Sequence, residues 1–411
     1  MMKYNDYLNR FKEIFMEYQK FDVNKIPLCA AETFVSPFSK QALSSILEGK
    51  YITGNNSYDE NKDFIGSHFL KKILDFSNDL GNVLFHAKYT DFRCLTGMNT
   101  VAIILMSLID KNKKVLITDP SSGGHGSLPK LCDNLGAKYE SIPYDMKKMQ
   151  IDHDKLNMIL KNDDSIGYVF FCQSDLICVP DLNRIKFPEN VIIIYDATQT
   201  LGLIASNIIP NPIDYNNNLI LIGGTHKTFP GTTCGFIATN NDFLIDKIDR
   251  QISPNFLRNT QINNIASVCL TMIELLKFGK EYSQTIVETA NKLGYLLEQN
   301  GISVKKISKD KYTETHQIFI SVEQKKLDLL YLKFKKNFIT LNKRNTGYIK
   351  GFRLGTQEIA RYELVNHLEE LATLISGIIN DTLTDDEIQK IVLQLSKYKN
   401  DNFYINDIFM E

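Results

Sequence analysis

Four short runs in the middle of the chain are apolar on both faces: "KVLITD" (Lys114–Asp119), "GYVFFC" (Gly167–Cys172), "VIIIYD" (Val191–Asp196) and "LILIGG" (Leu219–Gly224). They lack the strict alternation of a half-exposed strand. They read as strands of a parallel sheet covered by helices on both sides. Stretches with apolar residues at helical spacing lie between some of them, at Gly97–Asp110 and Asp154–Leu160. The pattern predicts an α/β fold with a mostly parallel sheet. A much longer helical pattern follows from Asn263 to Asn300, with a break expected near Gly279 and a stop at Gly301. Beyond it, His316–Val322 reads as a strand, and more helix and strand follow. The expected division is an N-terminal segment plus a large domain over residues 1–275, and a smaller α+β domain over residues 276–411. The amphipathic stretch Met1–Tyr18 is expected to pack on a neighbouring element or subunit.

Composition narrows the function classes. The chain has 411 residues, 43% hydrophobic and 23% charged, with 47 Lys+Arg against 48 Asp+Glu. That balance gives no electrostatic reason to expect a nucleic-acid partner. Met1–Tyr18 has no apolar signal-peptide core, and no unbroken apolar run predicts a membrane span. The seven cysteines, Cys29, Cys94, Cys132, Cys172, Cys178, Cys234 and Cys269, form no CxxC pair. They read as unpaired thiols of a reducing cytoplasm, and their spacing suits no zinc site.

In open α/β sheets ligands sit beyond the carboxyl ends of the strands. Those ends here carry Asp119, Cys172–Ser174, Asp196 and Gly223–Lys227. A lysine in a small-residue loop at a strand end can form a Schiff base with an aldehyde. A carboxylate at a neighbouring strand end can keep a pyridine nitrogen protonated. Asp196 with Lys227 therefore matches what pyridoxal 5'-phosphate needs. Thr96 and Gly97 precede a strong helix, and a helix N-terminus attracts phosphate. Gly123, Gly124 and Gly126 free His125 to approach a flat ligand closely. The plain alternatives are a surface lysine in a polar loop, an ordinary helix start and a structural histidine.

From about Leu28 to Tyr362 the chain resembles the serine hydroxymethyltransferase family of fold type I, aspartate-aminotransferase-like pyridoxal phosphate enzymes. The family's T-H-K-T motif appears as Thr225-His226-Lys227-Thr228, its S-x-G-G-H loop as Ser121–His125, and its D-x-A-H-x-x-G-L motif as "DATQTLGL", Asp196–Leu203. Its S-G-S phosphate turn appears as Thr96-Gly97-Met98 and its R-[IL]-G-T motif as Arg353-Leu354-Gly355-Thr356. The resemblance implies that Lys227 carries the cofactor as a Schiff base, that His125 stacks on the ring, and that Arg353 binds the substrate carboxylate. Ser174, Gln199, Thr225 and His226 join the expected cofactor contacts, Tyr51 and Glu32 the expected substrate contacts, and Tyr51 is also expected to be catalytic. It also implies a homodimer with the active site at the interface, Tyr51–Tyr58 coming from the partner chain. Arg353 has a plain rival reading as a solvated arginine at a strand end, and Arg361 reads as a structural ion-pair residue.

The departures bear most on function. In the family's Y-x-E-G motif, here Tyr51–Gly54, Thr53 stands where a glutamate serves proton transfer in the folate-linked reaction. A hydroxyl cannot replace a carboxylate in acid–base work near neutral pH. Phe64 and Ile65 replace two tyrosines, and the family's S-E-N segment reads Ala31-Glu32-Thr33. Gln199 replaces the histidine of D-x-A-H, and can still hydrogen-bond the cofactor's phenolic oxygen. The loop that reaches a neighbouring phosphate becomes "LRNTQIN", Leu257–Asn263, where Arg258 or Asn259 would have to serve. The cofactor end is kept and the folate and substrate end rewritten. The leading expectation is a folate-independent aldolase or transaldolase acting on the Cα–Cβ bond of an α-amino acid. Three rivals stand beside it: a true hydroxymethyltransferase in which Glu32 or Glu60 stands in for the lost glutamate, an aminotransferase or decarboxylase, and a degenerate cofactor-free protein.

Overall fold

The computed structural model describes residues 4–53, 64–346 and 349–409. The chain divides into two compact units. One comprises residues 31–287, 306–316 and 403–411, the other residues 1–30, 288–305 and 317–402. Sequence pattern suggested one boundary near residue 275, whereas this division is discontinuous. The short strand Ile26–Pro27 pairs in parallel with Ile339–Thr340, so the N-terminal segment belongs with the C-terminal elements.

The larger unit is built on a seven-stranded sheet. In chain order its strands are β1 (Tyr89–Asp91), β2 (Lys114–Ile117), β3 (Lys138–Ser141), β4 (Ile166–Phe171), β5 (Ile192–Asp196), β6 (Leu219–His226) and β7 (Pro230–Thr239). Their spatial order is β1-β7-β6-β5-β4-β2-β3. The block from β6 to β3 is parallel, and β7 runs antiparallel to both neighbours. All four predicted strands are present within two residues of their expected ends. Every residue of β4 is buried, which is why its sequence shows no alternation.

Helix α1 spans Tyr4–Asn24 and α2 spans Gly97–Leu108. Thr96 caps α2: its Oγ1 accepts the Asn99 backbone N–H at 3.0 Å, and Asn99 Oδ1 accepts the Leu95 N–H at 3.0 Å. Val101, Ile104 and Leu105 of α2 pack with Val115, Ile117, Phe170, Ile194, Ile220 and Ile222 in one buried cluster. Each such side chain contributes roughly 1.5–3 kcal/mol of burial. This burial anchors the N-terminus of α2 above the carboxyl ends of the strands.

Helix α3 spans Ile262–Gln299. It is long and apolar enough to cross a membrane by composition, but 67% of its most apolar window is buried inside the protein. It is a core helix. The expected break at Gly279 is absent. A Cβ there would come within 2.8 Å of Ser206 Oγ, so the glycine serves close packing. One turn on, Ser283 Oγ donates to Ser206 Oγ at 3.0 Å and lies 3.3 Å from the Gly202 carbonyl. These contacts fix the short helix Leu201–Ala205 that follows Asp196.

The smaller unit contains a four-stranded antiparallel sheet of β8 (Ser303–Val304), β9 (Gln317–Ser321), β10 (Asn342–Asn345) and β11 (Lys350–Gly355), in the order β8-β9-β11-β10.

Candidate active site

The carboxyl ends of β4, β5 and β6 and the start of α2 surround a cavity of about 260 Å³. Thr96, Gly97, Met98, His125, Ser174, Asp196, Gln199, His226 and Lys227 all line it. Residues spread over more than a hundred positions meet because parallel crossovers bring successive strand ends to the same edge.

Lys227 sits in the three-residue connection of a β-hairpin, between His226 at the end of β6 and Pro230 at the start of β7. The threonines around it hold that turn. Thr225 Oγ1 donates to the Thr232 carbonyl at 2.5 Å, and Thr228 Oγ1 donates to the Gln199 carbonyl at 3.0 Å. Thr225 is fully buried and is not among the cavity-lining residues. Gly202 packs beneath the turn; a Cβ there would lie 2.1 Å from the Thr228 carbonyl oxygen.

Asp196 presents its carboxylate at the end of β5. Oδ1 accepts the Thr198 N–H at 2.8 Å and the Thr198 hydroxyl at 2.5 Å, while Oδ2 accepts the Cys172 thiol at 3.2 Å. His125 is held by its backbone N–H to the Cys172 carbonyl at 2.9 Å, and its Nδ1 accepts the Ser127 N–H at 3.3 Å. Gly124 allows this loop to close, since a Cβ there would overlap the Thr118 carbonyl at 1.9 Å. Burial lowers the His125 pKa; Asp196 opposes the shift and Lys227 adds to it. Burial and the Lys227 charge bring His226 down to about 4. Both imidazoles are therefore neutral near pH 7.

The Gly97 and Met98 N–H groups belong to the first turn of α2, where backbone donors lack intrahelical partners. A Cβ on Gly97 would come within 3.2 Å of Thr198 Oγ1 and 3.4 Å of the Gly224 nitrogen. The cavity thus offers an anion cradle, a flat neutral ring, a fixed carboxylate and an amine. His226 Nδ1 is buried without a hydrogen-bond partner among the described residues.

Other expected residues lie elsewhere. Tyr51 is 39% exposed and edges onto the Phe64 ring at 4.9 Å; it does not line the cavity. Glu32 is exposed and also outside the lining set. Arg353 lies on β11 of the smaller unit, buried, with Nε and Nη2 donating to Asn342 Oδ1 at 3.1 and 2.9 Å. It is thus not a solvated strand-end arginine. Thr53 forms a bridge with Asn259, whose Oδ1 accepts the Ile52 N–H at 3.2 Å. Asn259 is engaged there, Arg258 is exposed, and neither lines the cavity. Gly54, Tyr58 and Glu60 lie outside the described residues. The sequence placed Cys172 and Gln173 at a strand end where a ligand is expected but gave them no contact, and it did not single out Thr198 or Thr233; all four line the cavity. Thr198 was legible as a departure, occupying the alanine position of D-x-A-H.

The family model for serine hydroxymethyltransferase matches residues 6–375. The chain belongs to the serine hydroxymethyltransferase family. Members named serine hydroxymethyltransferase include one from Picrophilus torridus, 29% identical over 95% of this chain and 92% of the relative. Another, from Thermoplasma volcanium, is 27% identical over 99% of this chain and 98% of the relative. Among solved structures, an L-threonine transaldolase from Pseudomonas fluorescens, in its internal aldimine state, superposes with a TM-score of 0.88 at 21% identity. That match covers 96% of this chain and 92% of the other, and it shows the fold. As a family member, the protein is a pyridoxal phosphate-dependent enzyme of fold type I.

Proposed function

We propose that the protein makes or breaks the Cα–Cβ bond of a β-hydroxy α-amino acid without folate, as an aldolase or transaldolase. The observation that carries this reading is Thr53. It stands at the family's glutamate position and is engaged in a backbone bridge with Asn259. No carboxylate is present at that position for the proton transfers of the folate-linked reaction. The activity named for the transaldolase of like fold supports the same direction.

The cavity's residues fit pyridoxal phosphate, which when bound supplies an electron sink for a labilised Cα bond. Lys227 would hold the cofactor's aldehyde carbon, and once the substrate amine displaces it, its own amine would be free to deliver a proton to Cα. The Gly97 and Met98 N–H groups would cradle the phosphate at the N-terminus of α2. Asp196 would hold a proton at the ring nitrogen, neutral His125 would cover one ring face, and Gln199 would reach the phenolic oxygen. Arg353 offers a planar fork for the substrate carboxylate, already oriented by Asn342.

A homodimer with a shared active site is part of the proposal. Tyr51, the expected substrate contact, lies outside its own chain's cavity and is partly exposed. Helix α1 buries none of its 21 residues, and Phe11, Ile14, Phe15 and Tyr18 are each more than half exposed. A second copy would cover such a face. A cytoplasmic setting is included on the strength of the seven free cysteines.

The test is product analysis with serine and threonine, with and without tetrahydrofolate, scoring glycine, aldehyde and keto acid together. Glycine plus aldehyde at a folate-independent rate is expected. Keto acid alone would move the assignment to an aminotransferase. Folate-dependent glycine from serine would favour a working hydroxymethyltransferase, the name carried by relatives at 27–29% identity.

A further inference from the structure

Asp196 is held by two side chains, one on each carboxylate oxygen. Thr198 binds Oδ1 through both its N–H and its hydroxyl, and Cys172 binds Oδ2 through its thiol. The Thr198 hydroxyl also accepts the Gly224 N–H at 3.0 Å, which leaves its single hydrogen for Asp196. The two donors come from different places. Cys172 follows β4, Thr198 follows β5, and the Gly224 N–H ties Thr198 to β6. Cys172 also anchors His125 through its carbonyl, and its own N–H lies 3.3 Å from Thr118 Oγ1.

We propose that Thr198 and Cys172 are positioning residues that jointly fix the plane of the Asp196 carboxylate toward the cofactor's ring nitrogen. The proposal rests on reading this cavity as the pyridoxal phosphate site. The torsion that rotates a carboxylate about its last bond has broad, shallow minima. Donors on Oδ1 fix the position of that oxygen and leave the plane free to turn. A donor on Oδ2 from a second strand removes that freedom. Preorganisation of this kind lowers the cost of binding, because the partner need not be ordered when the ligand arrives. Burial and the Asp196 charge raise the Cys172 pKa well above its usual value, so the thiol keeps its hydrogen and remains a donor. Neither donor follows from the family pattern quoted above. The alanine of D-x-A-H has no hydroxyl, so Thr198 adds a contact that the motif lacks.

Full-length protein is titrated with pyridoxal phosphate, following visible absorption for affinity and visible circular dichroism for ring orientation. Thr198→Ala and Cys172→Val remove one donor each while filling most of the space. Each is expected to weaken cofactor affinity about threefold to tenfold, and to reduce the induced circular dichroism. Thr198→Ser and Cys172→Ser keep a donor and are expected to stay close to wild type in both readouts. If Cys172→Val does not fold, Cys172→Ala tests the same loss. Melting of the cofactor-free variants should match wild type, which separates positioning from general stability. The clamp is overturned if the donor-less variants bind and orient the cofactor as wild type does, or if the serine variants are as impaired as the donor-less ones. Wild type and Lys227→Ala run alongside. Absence of a Lys227-dependent absorption band in wild type would overturn the cofactor-site reading and the clamp with it. Such a band together with unaffected variants would overturn the clamp alone.

Discussion

Two parts of the larger unit carry the functional argument, and they are organised differently. The cofactor end is made of strand termini and a helix start, joined by Thr198, Cys172, Thr225 and Thr228 into a network of short hydrogen bonds. The segment Tyr51–Thr53 is instead tied to Asn259 by a backbone bridge and bears an exposed tyrosine. One part lines the cavity. The other contributes nothing to its own chain's cavity. Cofactor chemistry needs fixed geometry and is built on rigid elements, whereas substrate choice sits on segments that can change without disturbing the sheet. That difference accounts for a chain that keeps its cofactor motifs and has lost the glutamate of the folate-linked reaction.

The comparison breaks first at Lys227. Lys227→Ala should lower turnover by at least about a thousandfold while leaving the fold intact. Retained activity, measured on any productive amino acid, would remove the lysine from the chemistry and leave the cofactor end without its nucleophile.

A smaller effect sharpens the rigidity of that end. Gly97→Ala places a methyl 3.2 Å from Thr198 Oγ1, a hydroxyl already bonded to Asp196 and Gly224. It cannot move aside cheaply, so cofactor affinity should fall about tenfold. Unchanged affinity in a spectral titration would mean the cradle is looser than drawn.

The other side of the comparison is probed by restoring what was lost. Thr53→Glu should raise tetrahydrofolate-dependent glycine formation from serine by a few-fold up to about tenfold. The gain is modest because Phe64 and Ile65 still stand at the family's tyrosine positions. No gain would show that Thr53 is not the residue that separates this chain from folate chemistry.

The smallest effect concerns stability. Burial and Lys227 lower the native His226 pKa from 6.5 to about 4. Between those values the unfolded chain binds a proton that the folded chain does not, so stability falls as pH drops from about 6.5 toward 4. The cost at the low end is at most about 3 kcal/mol. His226→Gln should shrink the difference in melting temperature between pH 7 and pH 5. His125 and His153, also lowered mainly by burial, keep part of it. An unchanged difference would mean His226 titrates normally.

How much of this was legible follows from what burial does to sequence. Strands β2, β4, β5 and β6 are covered on both faces and announce themselves as unbroken apolar runs. Strand β3 reads "KYES", mostly exposed at the sheet edge, and carries no such signal. Strand β7 was hidden because "PGTTCG" looks like a loop; its pairing with β6 shifts register between Pro230 and Gly235. With β7 unseen, Lys227 could be placed at a strand end but not in a hairpin, and Thr233 could not be assigned to the cavity. The discontinuous units have no local sign either, because the pairing of Ile26 with Ile339 is a contact between distant residues. Asp196, Lys227, His125 and the Thr96-Gly97-Met98 turn were legible because their motifs match short, ordered patterns. Cys172 and Thr198 were harder to assign, since a thiol and a hydroxyl that orient a carboxylate leave no spacing rule.

The most direct measurement is calorimetric titration of tetrahydrofolate into the pyridoxal phosphate-loaded protein with glycine present. A cofactor end kept apart from a rewritten substrate end predicts no tight complex and no change in turnover at saturating folate. A tight, stoichiometric complex that accelerates serine cleavage would contradict that account and return the protein to folate-dependent chemistry.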